Sequence, residues 1–161
     1  VVSETGDVNA DLPTRLVESW KALCLTDRPP ATEAALERFA TMYGASLPST
    51  MRAYLRLADG MDADGREMQD DRMIRFWPIA EIGPAARDGE LQACFEFADY
   101  LLDSHRYGVF LSGPRRGQVV LTGGGEPVPV ADDLGQFIDR YLNAPVALFP
   151  PREAVADEPE E

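Results

Sequence analysis

One histidine and two cysteines among 161 residues leave little of the usual apparatus of catalysis. His105 stands alone, which removes most metal-hydrolase and serine-hydrolase schemes, because their ligand set or general base is missing. Beside Arg106 and Tyr107 at the entrance to a strand it reads as an ordinary surface residue with no nucleophile to serve. Cys24 and Cys94 are far apart and lack metal or redox spacing; each falls in an apolar-periodic segment, so both are expected to be reduced core thiols. No apolar run approaches the roughly 18 residues that span a bilayer, and the N-terminus lacks a basic region followed by an apolar stretch. The expectation is a cytoplasmic protein with no membrane contact. Basic residues are scarce too: 15 Lys and Arg face 28 Asp and Glu, a formal net charge of −13. Neutralising phosphates needs the opposite balance, so a nucleic-acid partner is excluded and a basic protein partner is the natural inference. No catalytic residue, cofactor or metal is expected.

The acidity is not only a tail. Residues 152–161 carry five acids and one base, which accounts for −4 of the −13 and leaves −9 on the rest. At 45% hydrophobic the chain can bury a core of one domain. The division expected is a frayed N-terminus over residues 1–11, one globular domain over 12–149, and a disordered, proline-rich acidic tail over 150–161.

The most informative stretch runs from Leu47 to Gly60. Pro48 fits a first helical turn, with Ser46 or Ser49 as a cap. Met51, Tyr54, Leu55 and Ala58 recur at i, i+3, i+4, i+7 on one stripe, and Gly60 permits the left-handed stop. Two helices precede it. The first has Leu16, Trp20 and Leu23 as its stripe and Asp11 or Thr14 as cap, and Pro29-Pro30 forces a break after it. The second starts at Thr32, buries Leu36, Phe39, Ala40 and Tyr43, and ends at Gly44.

After Asp71 the period becomes two. Ile74 and Phe76 share one strand face, and Met73, Arg75 and Trp77 the other. An irregular or short helical connection spans residues 79–91. Alternation resumes at Phe95 and Phe97, then at Tyr107, Val109 and Leu111; residues 112–117 make a turn, 118–121 the partner strand, and Val128 and Val130 a last strand. A final helix opens on an Asp133/Gln136 capping box, buries Leu134, Ile138 and Tyr141, and stops at Pro145. Helices first, an antiparallel sheet of four or more strands, then one helix is an α+β pattern.

Between the third helix and the first strand lies an acidic run: Asp62, Asp64, Glu67, Asp70 and Asp71 against Arg66. Counted from Gly60, Asp62, Asp64, Gly65 and Asp71 fall at positions three, five, six and twelve of a calcium loop, but Gly60 stands where the first ligand belongs and the twelfth is Asp rather than Glu. A solvated acidic loop is the plainer reading. Gly123 to Gly125 precedes Pro127 and Pro129 rather than a helix, so it is a turn and not a phosphate cradle, and acids spread over loops give no glycosidase pair. Trp20 and Trp77 sit among apolar neighbours and read first as core, with Trp77 the better contact candidate because it shares a face with Arg75 near the acidic run.

The leucine-proline helix with its Asp59-Gly60 stop, the polar excursion, the strand ending Phe76-Trp77-Pro78-Ile79, then Phe97-Ala98-Asp99 before a hairpin and Pro129-Val130-Ala131 before Phe137, Ile138 and Tyr141, together resemble the SUKH superfamily over roughly residues 12–142. That superfamily takes in fungal Smi/Knr cell-wall-assembly regulators and many bacterial immunity proteins. The resemblance implies a non-catalytic domain, monomeric or weakly dimeric, that binds and neutralises a toxin domain. A nuclease or deaminase toxin would present a basic surface to an acidic binder, and Asp59, Asp62, Asp64, Glu67, Asp70, Asp71 and Trp77 are the residues expected to meet it. The alternative is an adaptor that recruits a host enzyme, as in the fungal members; a small-molecule or metal-binding module is a third, weaker reading.

Overall fold

The structure is a computed structural model that describes residues 3–62, 72–123 and 125–151, with side chains described from residue 11 onward. Its elements in order are α1 (Ser3–Ala22), α2 (Glu33–Tyr43), α3 (Ser49–Leu55), β1 (Ile74–Phe76), β2 (Gly83–Pro84), β3 (Cys94–Tyr100), β4 (His105–Phe110), β5 (Val119–Thr122), β6 (Val128–Ala131) and α4 (Leu134–Asn143). The fold is α+β with an antiparallel sheet, as expected. The sheet is larger than a four-stranded meander: its order is β1-β3-β4-β5-β6, and short β2 pairs with β3 as well. Among the described residues no helix is long and apolar enough to cross a membrane.

The helix boundaries follow local chemistry, with four corrections. Helix α1 starts at Ser3 and runs through Pro13 rather than starting near Asp11 or Thr14, so the segment expected to be frayed has helical backbone from Ser3 on. Its buried stripe is Leu12, Leu16, Val17 and Trp20, and Leu23 is 39% exposed. The cause is the way α1 ends. Leu25 N–H donates to the Trp20 carbonyl (2.8 Å) and Cys24 N–H to the Lys21 carbonyl (3.1 Å), while Cys24 takes φ 57°. This is a Schellman turn with a cysteine in the left-handed position that glycine usually fills. It swings Leu25, 1% exposed, into the core in place of Leu23 and leaves Cys24 on the surface, where a core thiol had been expected.

Helix α2 has the expected ends. The Thr32 hydroxyl accepts from Ala35 N–H at 3.0 Å, and Gly44, at φ 63°, donates to the Ala40 carbonyl. Leu36 and Phe39 are buried, but Tyr43 is 37% exposed and leans its ring on Phe39 and Phe95. In α3 neither serine caps; Pro48 itself occupies the cap position without a side-chain bond. Met51, Tyr54, Leu55 and Ala58 are wholly buried. The fourth correction is Gly60. Helix α3 stops at Leu55, and Gly60 lies beyond it at φ 77°, so close to β1 that an added Cβ would stand 2.5 Å from the Pro78 nitrogen. Close approach of two backbones, rather than helix termination, is what requires a glycine there.

One face of the sheet packs on α1, α3 and α4. Phe76 is the centre of that layer: its ring centroid lies 5.0 Å from Tyr141, 5.2 Å from Trp20, 5.7 Å from Tyr54 and 5.9 Å from Phe137. Edge-to-face aromatic packing of this kind adds to the area term, and removing such a ring costs about 3–5 kcal/mol. Helix α4 is capped by Asp133, which accepts from Gln136 N–H at 2.8 Å, while Gln136 reaches back to Asp132 N–H at 2.7 Å. The box is therefore shifted by one residue on its return bond. On the outer edge of β6, Arg140 donates to the Val130 carbonyl, which closes part of the exposed ladder together with Pro127 and Pro129.

Candidate functional site

The side of the sheet turned away from the helices carries the charged site, and a β-bulge puts it there. Glu96 faces Gly108, but Ala98 faces Tyr107, so Phe97 is an extra residue in β3. Strict alternation would have put Phe95, Phe97 and Asp99 on one face. With the bulge, Phe95 and Phe97 stay in the core and Asp99 joins Glu96 on the outer face. The register then lines up Arg75 with Asp99, Asp99 with Arg106, and Arg106 with Thr122. Opposite charges directly across adjacent strands attract, so Arg75, Asp99 and Arg106 support the pairing of three strands, β1, β3 and β4.

Around that row is a cleft of about 500 Å³ lined by Arg75, Trp77, Glu81, Glu96, Asp99, Asp103 and Arg106, with Gly83 and Pro84 at its edge. Arg75 holds Glu81 through two bonds of 3.1 and 3.0 Å and stands 3.9 Å from Asp99. Trp77 donates its indole N–H to Asp99 at 2.6 Å. Arg106 pairs with Asp103 at 2.9 and 3.1 Å and with Glu96 at 3.1 Å, and its guanidinium carbon lies 5.8 Å from the Trp77 ring centroid. Thr122 donates to the other Glu96 oxygen at 2.9 Å. Burial pushes the Asp99 carboxyl above its ordinary value, against the Trp77 indole, the Asp103 N–H and Arg75, which pull it down.

One wall of the cleft is a strained turn. Leu101, Leu102 and Asp103, between β3 and β4, take φ 50°, 55° and 70° in succession. Left-handed conformations cost non-glycine residues roughly 1–2 kcal/mol each. Side-chain bonds offset this. Asp99 accepts from Asp103 N–H at 3.1 Å, and the Asp103 carboxylate is then aimed at Arg106. Leu102 is left 59% exposed at the tip.

The residues expected from the sequence to meet a partner divide three ways. Asp64, Glu67, Asp70 and Asp71 lie outside the described residues, as does most of the calcium-loop pattern. Asp59 is engaged within the fold: it accepts from Ile79 N–H at 2.8 Å, and its carbonyl and carboxylate hold Arg28 at 2.7 and 3.4 Å. Trp77 lines the cleft, and Asp62 is joined to it through its backbone, because the Asp62 carbonyl accepts from Arg75 Nε at 3.1 Å. The acidic run is thus tied to the cleft at its start, where Met61 N–H also donates to Phe76 and Asp62 N–H to Leu25. At its far end Arg72 donates to the Tyr141 carbonyl at 2.8 Å and covers that ring.

Glu81, Glu96, Asp99, Asp103 and Arg106 escaped the sequence reading as site residues. His105 sits at the start of β4 with Nδ1 3.3 Å from the Ser104 hydroxyl oxygen. Among the described residues no three of His, Cys, Asp and Glu come together as a metal-ligand set. No protein-family model matches the chain, and no curated protein does.

Proposed function

We propose that this chain is a non-catalytic protein-binding domain, an immunity protein that neutralises a basic toxin domain through its acidic surface. The observation that carries the reading is the bond from Arg75 to the Asp62 carbonyl, which joins the acidic run of residues 62–71 to the rim of the charged cleft. The net charge of −13 sets up a negative potential, and attraction over a Debye length or more speeds encounter with a basic partner. The order of helices, antiparallel sheet and closing helix is the one the SUKH resemblance implies, and it supports the same reading. The reading puts the protein in the cytoplasm of the cell it protects.

The test is a variant in which Asp62, Asp64 and the two residues Asp70 and Asp71 become Asn and Glu67 becomes Gln. Asp59 is kept, because its substitution would disturb the Arg28 and Ile79 contacts. The variant is expected to bind the toxin domain at least about tenfold more weakly, mainly through slower association. Undiminished binding would refute the acidic-surface reading, and capture of a signalling or cell-envelope enzyme instead would favour an adaptor.

A further inference from the structure

The outer cleft has an unbalanced charge. Glu81, Glu96, Asp99 and Asp103 bring four carboxylates to it against two guanidinium groups, and both arginines are already engaged. Arg75 donates to Asp62 and to both Glu81 oxygens; Arg106 donates to both Asp103 oxygens and to Glu96. The carboxylates retain acceptor capacity, since an ionised carboxylate oxygen accommodates about two donors. Glu81 and Asp103 are the accessible members, with side chains 45% and 49% exposed, while Glu96 and Asp99 are 8% and 4% exposed. What the cleft can still take is therefore a cation that reaches inward from solvent.

The shape narrows the class. About 500 Å³ is far more than a bare ion needs, and among the described residues the acids do not converge as metal ligands. Trp77 is only 9% exposed and its ring already carries the Arg106 guanidinium at 5.8 Å, so the groups open to an incoming cation are the Glu81 and Asp103 carboxylates. A planar, forked cation matches the paired oxygens of a carboxylate, whereas an ammonium matches only the charge. We infer that the outer cleft takes an arginine side chain presented by the basic protein partner, with its guanidinium against Glu81 and Asp103. This rests on the protein-binding reading above and names its anchor point.

The test uses the full chain labelled with ¹⁵N and three blocked tripeptides, Gly-Arg-Gly, Gly-Lys-Gly and Gly-citrulline-Gly, followed through the two tryptophan indole N–H signals. Trp20 is fully buried in the core and serves as the internal control. The arginine peptide is expected to shift the Trp77 signal saturably and leave Trp20 in place. The lysine peptide should bind at least about threefold more weakly, and the uncharged citrulline peptide should produce no saturable shift. The variant Glu81→Gln/Asp103→Asn should weaken the arginine peptide about tenfold or more, with an unmoved Trp20 signal showing that the fold is intact.

Equal shifts from the citrulline peptide, or no saturation by arginine peptide up to about 50 mM, would overturn the inference. If the peptides fail while the wild-type protein still captures a basic partner, the anchor alone is refuted. If the peptides bind and no basic partner is captured, the cleft stands and the toxin-neutralising reading fails.

Discussion

Trp77 donates its indole N–H to Asp99 at 2.6 Å on a carboxylate only 4% exposed, so the tryptophan that sequence suggested as a contact also holds the charged row of the sheet in place. Replacing it with phenylalanine keeps the ring and removes the donor. A buried carboxylate deprived of one donor costs about 1–3 kcal/mol, and urea unfolding of Trp77→Phe is expected to show a loss of that size.

The same carboxylate gives a pH dependence. Asp99 is raised above its ordinary value of 3.8, first by burial, so the folded state binds its proton more readily than the unfolded chain. It therefore lowers stability while ionised, and that loss is recovered as pH falls through the raised folded value towards 3.8. Wild type should gain stability relative to Asp99→Asn as pH is lowered over that window. Denaturant unfolding of both proteins from neutral pH to about 4 checks it, and a constant difference would contradict the assignment.

Gly60→Ala is expected to destabilise by about 2–4 kcal/mol. The new Cβ would meet the Pro78 nitrogen at 2.5 Å and the Trp77 carbonyl oxygen at 2.7 Å. Those are backbone atoms, which cannot step aside as a flexible side chain could. Thermal unfolding is the measurement.

Gly108 makes a different close approach. A Cβ there would lie 2.5 Å from Cys94 Sγ, and Cys94 is wholly buried, with its thiol pushed by burial up to about 12. Gly108→Ala should cost about 1–3 kcal/mol by overpacking. In Cys94→Ala/Gly108→Ala the sulfur is gone, so the double variant should be more stable than the sum of the single losses predicts. Strict additivity would show that the sulfur is not what excludes the side chain.

Cys24 offers a stabilising change. It holds φ 57° at the end of α1, where glycine is free of the Cβ penalty, so Cys24→Gly is expected to add about 0.5–1 kcal/mol. In the native wild type a maleimide should label Cys24, which is exposed, and spare Cys94, which is buried; mass spectrometry reads both.

What the sequence made legible was whatever short-range chemistry controls. Thr32 and Gly44 mark the ends of α2 because a cap bond and a left-handed stop involve only neighbouring residues. The stripe of Met51, Tyr54 and Leu55 predicts burial because helical spacing alone puts them together, and Ala58, past the end of α3, is buried with them. The exchange of Leu23 for Leu25 was hidden in a turn built on an unusual residue, Cys24. The site was hidden more deeply. A single inserted residue at Phe97 reverses the face of Asp99, and alternation in β3 alone does not show it. Arg75, Asp99 and Arg106 then meet only through the pairing of separate strands, with Glu81 brought in by the short helical turn at Ile79–Glu81, a long-range relationship that no local pattern announces.

The most direct test of the binding account is a pull-down with this protein as bait from a lysate of its own source, at low and at moderate salt, with retained proteins identified by mass spectrometry. The account predicts one basic toxin domain, held at low salt, weakened as salt rises, and lost when the carboxylates of residues 62–71 are neutralised. Retention of a neutral or acidic protein indifferent to salt and to those substitutions, or of no protein at all, would contradict it.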